Sequence, residues 1–316
     1  MKILIAGASG MIGNALVLYL SKQHQLILLG RKRDKLASQF SNQYPILTWD
    51  DLSLLNQDFL KSIDVIINLA GENIGERRWS FSQKEKIINS RVNATKKLAE
   101  LCSMLGENSP RILNAGGIGI YGFSEGDHFF TEKSRLSDDP NCFLSKVSHA
   151  WEDALLPAIN KKVSVVKMRF GVVLSKQGGA LKKMLPAFKW GFGATLGNGN
   201  QSFSWVSIDD LVRAIDFIIL NEQITGAVNI VAPGVVTQHD FAKVLAHILH
   251  RPFFLRMPAL LVRILFGQMG NELLLKGQYV KSETLLKSGF EFQYSKIDVA
   301  LNHLLHNRGA LMHKSP

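Results

Sequence analysis

The sequence predicts an α/β fold, a doubly wound parallel sheet with a smaller C-terminal α/β lobe. Three observations predict it. Short apolar runs alternate with segments of helical period over the first 174 residues. The first run, Ile3-Leu4-Ile5-Ala6, opens through Gly7-Ala8-Ser9-Gly10-Met11-Ile12-Gly13 into the apolar-faced segment Asn14–Leu20. After Leu174 the alternation gives way to a glycine-rich texture.

The glycine stretch organises the rest. Strand, glycine turn, helix is the context in which glycine spacing becomes a dinucleotide fingerprint, here G-x-x-G-x-x-G. Gly7 permits a tight turn, Gly10 lets the backbone approach a pyrophosphate, and Gly13 lets helix and strand pack closely. Ser9, Met11 and Ile12 complete the turn. Free N–H groups and the positive end of the helix dipole then face the phosphates. A Rossmann-type domain over residues 1–174 is the expectation.

Gln25–Gly30 reads as the second strand. An NAD-preferring domain ends this strand with a carboxylate for the ribose 2′-OH. Here Gly30 is followed by Arg31, Lys32 and Arg33. A guanidinium suits a 2′-phosphate, so NADP is the cofactor expected, held in part by Gly30 and Arg31. Pro45–Asp50 is a short third strand, with Asp50-Asp51-Leu52 where an adenine pocket falls. Asp64–Gly71 is the fourth, ending in Leu69, Ala70 and Gly71 beside the nucleotide. Residues 80–104 form a long helix.

Arg111–Gly117 is strand five, Pro140–Leu156 a helix, and Val163–Phe170 strand six, closed by Gly171–Leu174. Residues 175–306 are expected to form mainly the substrate lobe, with a segment near 203–233 returning to the first domain. Its helices are Ala180–Lys189, one after Val206 capped by Asp209 or Asp210, Gln238–Leu249, Ala259–Phe266 and Ser295–Leu305; Ala227–Ala232 is a strand. Residues 307–316 read as a frayed tail.

Composition narrows the classes. The chain has 316 residues, 46% of them hydrophobic, enough for one large domain with a modest second lobe. Two cysteines, Cys102 and Cys142, give no disulfide framework. With no signal-peptide pattern at the N-terminus, a cytoplasmic location is expected. The apolar stretch Phe253–Leu275 is interrupted by Arg256, Pro258, Arg263 and Gln268, which argues against a membrane span. The net charge of +11 is scattered rather than clustered, so neither nucleic acid nor a membrane is an expected partner. No metal site is predicted.

GASGMIG, NLAG at 68–71, YG at 121–122 and WVSIDD at 205–210 together resemble an extended short-chain dehydrogenase/reductase. More narrowly, the chain is similar to the NAD(P)-dependent epimerase group with a C-terminal epimerase-associated domain. The likeness rests on NLAGENI (68–74), RRW (77–79), SRV-AT (90–95), GVVL (171–174), MLPAFKWGFGATLGNGNQSFSWVSIDD (184–210) and NIVAP (229–233) through HRP (250–252). The resemblance covers nearly the whole chain and places the family's C-terminal domain at about 250–300. It implies hydride transfer at a nicotinamide and a lobe adapted, in related enzymes, to sugar nucleotides. Their usual set is Y-x-x-x-K with a Ser or Thr; the lysine lowers the tyrosine pKa so that the phenol exchanges a proton.

This chain departs from that set. Four residues before Lys146 stands Cys142, and Gly116-Gly117 stands where the serine belongs. Tyr121 is the substitute phenol and Lys146 the lysine; Tyr121 otherwise packs under the cleft wall. Cys142 is a small filler or a thiol acid. The resemblance further implies Val173 beside the nicotinamide, Arg91 reaching a phosphate or ribose or else pairing on the helix face, Glu85 accepting from adenine or ribose or else solvated, and Arg77, Arg78, Trp79 and Arg169 beside an anionic substrate. Two functions follow: an NADP(H)-binding oxidoreductase or epimerase acting on an anionic small molecule such as a nucleotide sugar, or a cofactor-sensing binding protein with a degraded catalytic site. A DNA-binding regulator lacks any recognition motif.

Overall fold

A computed structural model describes residues 1–124 and 128–306; the expected tail at 307–316 lies outside them. The first half alternates strands and helices. β1 (Lys2–Ala6) leads to α1 (Met11–Leu20), β2 (Gln25–Gly30) to α2 (Arg33–Gln39), and β3 (Ile46–Thr48) to α3 (Gln57–Lys61). β4 (Val65–Asn68) leads to α4 (Phe81–Ser103). β5 (Arg111–Gly117) is followed by α5 (Phe143–Asp153) and α6 (Leu156–Ile159), and β6 (Val165–Phe170) by β7 (Val172–Leu174). Beyond it come α7 (Gly179–Lys189), β8 (Ala194–Leu196), β9 (Ser202–Phe203), β10 (Trp205–Ser207), α8 (Ile208–Leu220) and β11 (Gly226–Ile230). The C-terminal part holds β12 (Val236–Thr237), α9 (Gln238–Ile248), β13 (Leu255–Met257), α10 (Ala259–Leu273), α11 (Glu283–Lys287) and α12 (Ile297–His306).

The main sheet has seven strands in the order β11-β6-β5-β4-β1-β2-β3, every pair parallel. Both faces are covered, as parallel sheets require. Alternate residues serve opposite faces: Ile3 and Ile5 join the cluster of α1 and α8, while Leu4 and Ala6 join that of α4 and α6. The chain reverses direction of winding between β1 and β4, and ligands of such sheets bind at that switch point, outside the carboxyl ends of the strands. β11 enters the sheet beside β6 after a long excursion; three two-stranded pairs, β7–β10, β9–β12 and β8–β13, lie outside it.

Several boundaries differ from the sequence expectation. α1 starts at Met11 rather than Asn14, with Gly10 as an extended N-cap. The helix expected from Pro140 begins at Phe143, because Asp139 closes a turn onto Asn141 (2.9 Å). Ser207, not an aspartate, caps α8; its hydroxyl accepts the Asp210 N–H (3.0 Å), and the buried Asp210 carboxylate instead accepts the N–H groups of Gln293 and Tyr294. α10 continues to Leu273 through a kink at Gly267, whose φ of 61° a glycine tolerates.

Candidate cofactor cleft and active site

The glycine turn sits at the switch point. Gly7 has φ 84°, and a Cβ there would stand 2.7 Å from the Leu69 carbonyl carbon, so Gly7 lets the β1 turn touch the end of β4. A Cβ on Gly13 would stand 2.3 Å from the Gly7 carbonyl oxygen, which makes it the helix–strand contact glycine. Gly10 is different. It is exposed, and a Cβ would meet only the Gly7 oxygen, at 3.3 Å. Ahead of it, the first-turn N–H groups of α1 lack intrahelical acceptors. The geometry is a backbone cradle, open on the side a diphosphate would approach.

Its rim is built from the residues named above. Ser9, Ile12, Leu69 and Ala70 are partly exposed around the turn. Met11 lies under the loop after β7, since a Cβ on Gly178 would come within 3.0 Å of its sulfur. A Cβ on Gly179 would lie 3.4 Å from the Val173 carbonyl oxygen, which brings Val173 to the same rim. Arg91 is buried behind Gly71, where a Cβ would meet its guanidinium at 3.2 Å. The guanidinium lies over the Trp151 ring (4.8 Å) and donates to the Ile87 carbonyl (3.0 Å). Burial lowers its pKa to about 10, partly opposed by Glu72, so it stays cationic at neutral pH.

Glu85 does not reach this group. It is exposed, and six residues on an α-helix separate it from Arg91 by about 240° of rotation. At the end of β2, Gly30 is explained by packing, because a Cβ would stand 2.7 Å from Leu36. The Gly7 N–H donates to the Leu29 carbonyl (3.2 Å), so the glycine turn abuts this strand end. Arg33 is committed to Asp51 (2.9 Å) and the Ile46 carbonyl (2.6 Å), which leaves exposed Arg31 as the available guanidinium beside Gly30.

The catalytic expectations are rearranged. Tyr121 does not meet Lys146, which is exposed on α5 and pairs with none of the described residues. The cation at Tyr121 is Arg169: its Nη1 donates to the phenol oxygen (2.8 Å), and the phenol donates to Asn229 Oδ1 (2.8 Å). Burial raises the Tyr121 pKa against the lowering effect of Arg169, so the phenol keeps its proton. Arg169, expected at the substrate, is 3% exposed and holds Glu152 through Nε (2.7 Å) and Nη2 (2.9 Å). Burial alone would depress its pKa; the Glu152 carboxylate outweighs that and raises it.

Cys142 is the N-cap of α5 and is buried. Glu272 of α10 caps that helix in its place, with its two oxygens accepting the N–H groups of Phe143 (3.1 Å) and Leu144 (3.0 Å). Gln268 steadies Glu272 (2.6 Å) and also receives Lys84. Burial pushes the Cys142 thiol up to about 11, with Glu272 adding to the shift. Trp79 is a buried anchor that donates to the Ile74 carbonyl (2.8 Å) and meets Phe143 edge-on (4.7 Å). It holds a loop on which Arg77 and Arg78 are exposed; Arg78 lies against the Gly267 kink, where a Cβ would come 3.2 Å from its Nη2.

Sequence reasoning missed a buried network behind the rim. Asn68 donates to Asn114 (2.7 Å) and Thr95 (2.9 Å), the Trp151 indole donates to Thr95 (3.0 Å), and Asn68 accepts the Ala70 N–H (3.1 Å). The available signal was an asparagine in each of two apolar strands, Asn68 at the end of β4 and Asn114 midway along β5, paired in register. Among the described residues, no group of three or more His, Cys, Asp and Glu is placed to hold a metal ion, and no helix is long and apolar enough to cross a membrane.

A doubly wound sheet with a backbone cradle at its switch point defines a nucleotide-binding α/β protein of the short-chain dehydrogenase/reductase type. The chain belongs to the NAD dependent epimerase/dehydratase family, whose model matches residues 3–231. Residues 257–304 match a second model, described as Domain of unknown function (DUF1731). Epimerase family protein YfhF of Bacillus subtilis is 34% identical over 98% of this chain and 99% of its own length. Among solved structures, human epimerase family protein SDR39U1 (isoform 2) with NADPH has a TM-score of 0.86 at 30% identity, covering 98% of this chain and all of the human one. A nucleoside-diphosphate sugar epimerase from Corynebacterium glutamicum is 32% identical with a TM-score of 0.75, covering 96% of this chain and 58% of its own.

Proposed function

We propose that this protein is an NADP(H)-dependent oxidoreductase or epimerase acting on an anionic small molecule, with nucleotide sugars as the substrate class. One observation carries the cofactor choice: Arg31 is exposed and pairs with none of the described residues, beside Gly30 at a strand end with no carboxylate, against the glycine turn. A guanidinium there favours a 2′-phosphate. The human relative described with NADPH supports the same reading.

In this reading the first-turn N–H groups of α1 hold the diphosphate, Arg31 the 2′-phosphate, and Leu69–Gly71 and Val173 flank the cofactor. The bound nicotinamide supplies the hydride acceptor or donor. Lys146 orients the ribose, and Arg77 and Arg78 hold the anionic part of the substrate. Tyr121 and Arg169 support the wall from inside. The test is calorimetry: NADPH binds more tightly than NADH, and Arg31→Ala costs roughly 1–3 kcal/mol for NADPH alone. Equal wild-type affinities reject the assignment.

A second reading, a cofactor-sensing protein without turnover, is favoured by Cys142 and its burial under Glu272. Single-turnover oxidation of NADPH against a panel of carbonyl compounds separates the two. Measurable hydride transfer supports the enzyme; tight binding without transfer supports the sensor.

A further inference from the structure

We propose that the C-terminal lobe docks peripherally on an anionic phospholipid bilayer through a strip formed by Trp190, Phe192, Phe254 and the first half of α10. The inference is independent of the cofactor reading. It departs from the sequence expectation that no membrane is involved.

The strip is apolar and exposed where a folded lobe has no internal reason to leave it so. Trp190 is 80% exposed, Phe254 77%, Leu260 67% and Ile264 62%. Single exposed apolar residues are ordinary, but a contiguous patch marks an interaction surface. Contiguity follows from the chain. β8 and β13 run parallel with Ala194 opposite Leu255, so Phe192 and Phe254 lead into the two strands side by side. A Cβ on Gly191 would lie 3.7 Å from Pro252, which closes the same end. From there exposure alternates along the extended chain, with Phe254, Arg256 and Pro258 outward, and Leu260 continues the series into α10. On α10, Leu260, Leu261, Ile264 and Leu265 share one exposed face, while Val262 is fully buried on the other.

Charge decides the occupant. Residues 179–202 contain no Asp or Glu and three lysines, of which Lys182 and Lys189 are left after Lys183 pairs with Glu76 (2.9 Å). Residues 250–271 contain Arg251, Arg256 and Arg263 and no Asp or Glu. A second copy of the chain would set these cations against themselves across a twofold axis, a like-charge contact that weakens association. An anionic bilayer complements both features. Apolar side chains enter the acyl boundary, Trp190 sits at the headgroup level, and the arginines reach the phosphates. The interruptions by Arg256, Pro258 and Arg263 that exclude a span are what a surface-lying segment needs.

The test is co-sedimentation of the full chain with phosphatidylcholine vesicles, with and without about 30% phosphatidylglycerol. Binding is expected on the anionic vesicles and at least about tenfold weaker on the neutral ones. Of the five tryptophans, Trp79, Trp151 and Trp205 are buried and Trp49 is half-buried against the core of the main sheet, so quenching by lipid is assigned to Trp190 by its loss in the Trp190 variant. Brominated lipid quenches the wild type, and Trp190→Phe abolishes that quenching. The pair Phe254→Ser and Ile264→Ser, which leaves the net charge unchanged, lowers affinity about tenfold with an unaltered circular dichroism spectrum.

Three results overturn the proposal. The wild type can remain in the supernatant with anionic vesicles. The double variant can sediment like the wild type, which assigns any binding to the net charge of +11 alone. Or sedimentation velocity can show a dimer that the double variant converts to monomer, which gives the strip to a second copy.

Discussion

Tyr121→Phe separates a phenol that does chemistry from one that holds a wall. The substitution keeps the ring and its stacking on Phe130, whose centroid is 5.3 Å away, so little apolar burial is lost. It removes two hydrogen bonds, both 2.8 Å, and leaves Arg169 Nη1 and Asn229 Oδ1 without partners where both residues are buried. An unsatisfied buried polar group costs about 1–3 kcal/mol. Arg169 keeps its two bonds to Glu152, so no uncompensated charge is created. The expected loss is therefore about 2–4 kcal/mol of stability, allowing for relaxation. Glu152→Gln strips the charge partner and should cost more, about 3–5 kcal/mol. Urea denaturation measures both, and NADPH titration of each folded variant should match the wild type. If Tyr121→Phe is as stable as the wild type while single-turnover hydride transfer falls by about 10²-fold or more, the phenol reaches the substrate and the structural reading of Tyr121 is wrong.

Gly10→Val should fold, because only the Gly7 oxygen lies near its Cβ, yet lose cofactor binding; Gly13→Ala should lose stability instead, since its Cβ meets backbone at 2.3 Å. Circular dichroism with fluorescence titration distinguishes them, and a folded Gly10→Val that binds NADPH normally counts against the cradle. Cys142 and Cys102, both with thiols pushed up to about 11 by burial, stay protonated through neutral pH and become thiolate only as pH rises toward that value. Thiol reagent at pH 8 should therefore label neither in the native protein and both after denaturation; rapid native labelling of Cys142 would restore it as a candidate acid. Glu272→Ala frees the buried Phe143 N–H and the half-buried Leu144 N–H at the start of α5 and should cost about 2–4 kcal/mol, with Glu272→Gln recovering part of that; an unchanged denaturation midpoint would remove Glu272 as the cap.

The fold of the glycine turn was legible because it is local. Gly7, Gly10 and Gly13 lie within one turn, and each has a distinct steric reason that spacing alone suggested. The end of β2 at Gly30 was readable as a strand end; the structure adds that Gly30 answers to Leu36, and the cofactor role of Arg31 is the proposal made above. The catalytic side was not legible, because its contacts are long-range. Glu272 reaches Phe143 across 129 residues and Asn229 reaches Tyr121 across 108. A helical spacing argument cannot pair such residues, and it brought Lys146 to Tyr121 when Arg169, at the C-terminal end of β6, is the nearer cation. The exposed face of α10 was hidden for a related reason: sequence gives a helix over Ala259–Phe266, but which of its apolar residues lack a layer to pack against is set by the fold.

The two halves of the cleft differ in what they leave free, and that difference constrains the chemistry. Around the glycine turn, the first-turn N–H groups of α1 and the guanidinium of Arg31 have no partner among the described residues, so a phosphorylated cofactor can bind them without displacing those contacts. Around α5, the groups that could move a proton are spent. Tyr121 has its hydrogen committed to Asn229, the Cys142 thiol is buried with a pKa of about 11, and Arg169 is held by Glu152. A proton donor must reach the reacting oxygen. Of the residues proposed for catalysis, only Lys146 is exposed to do so, directly or through a water it orients. In the proposed enzyme, turnover is therefore expected to depend on Lys146. A folded, cofactor-binding Lys146→Met that still transfers hydride at the wild-type rate would leave solvent as the proton source and remove the last protein group from the reaction.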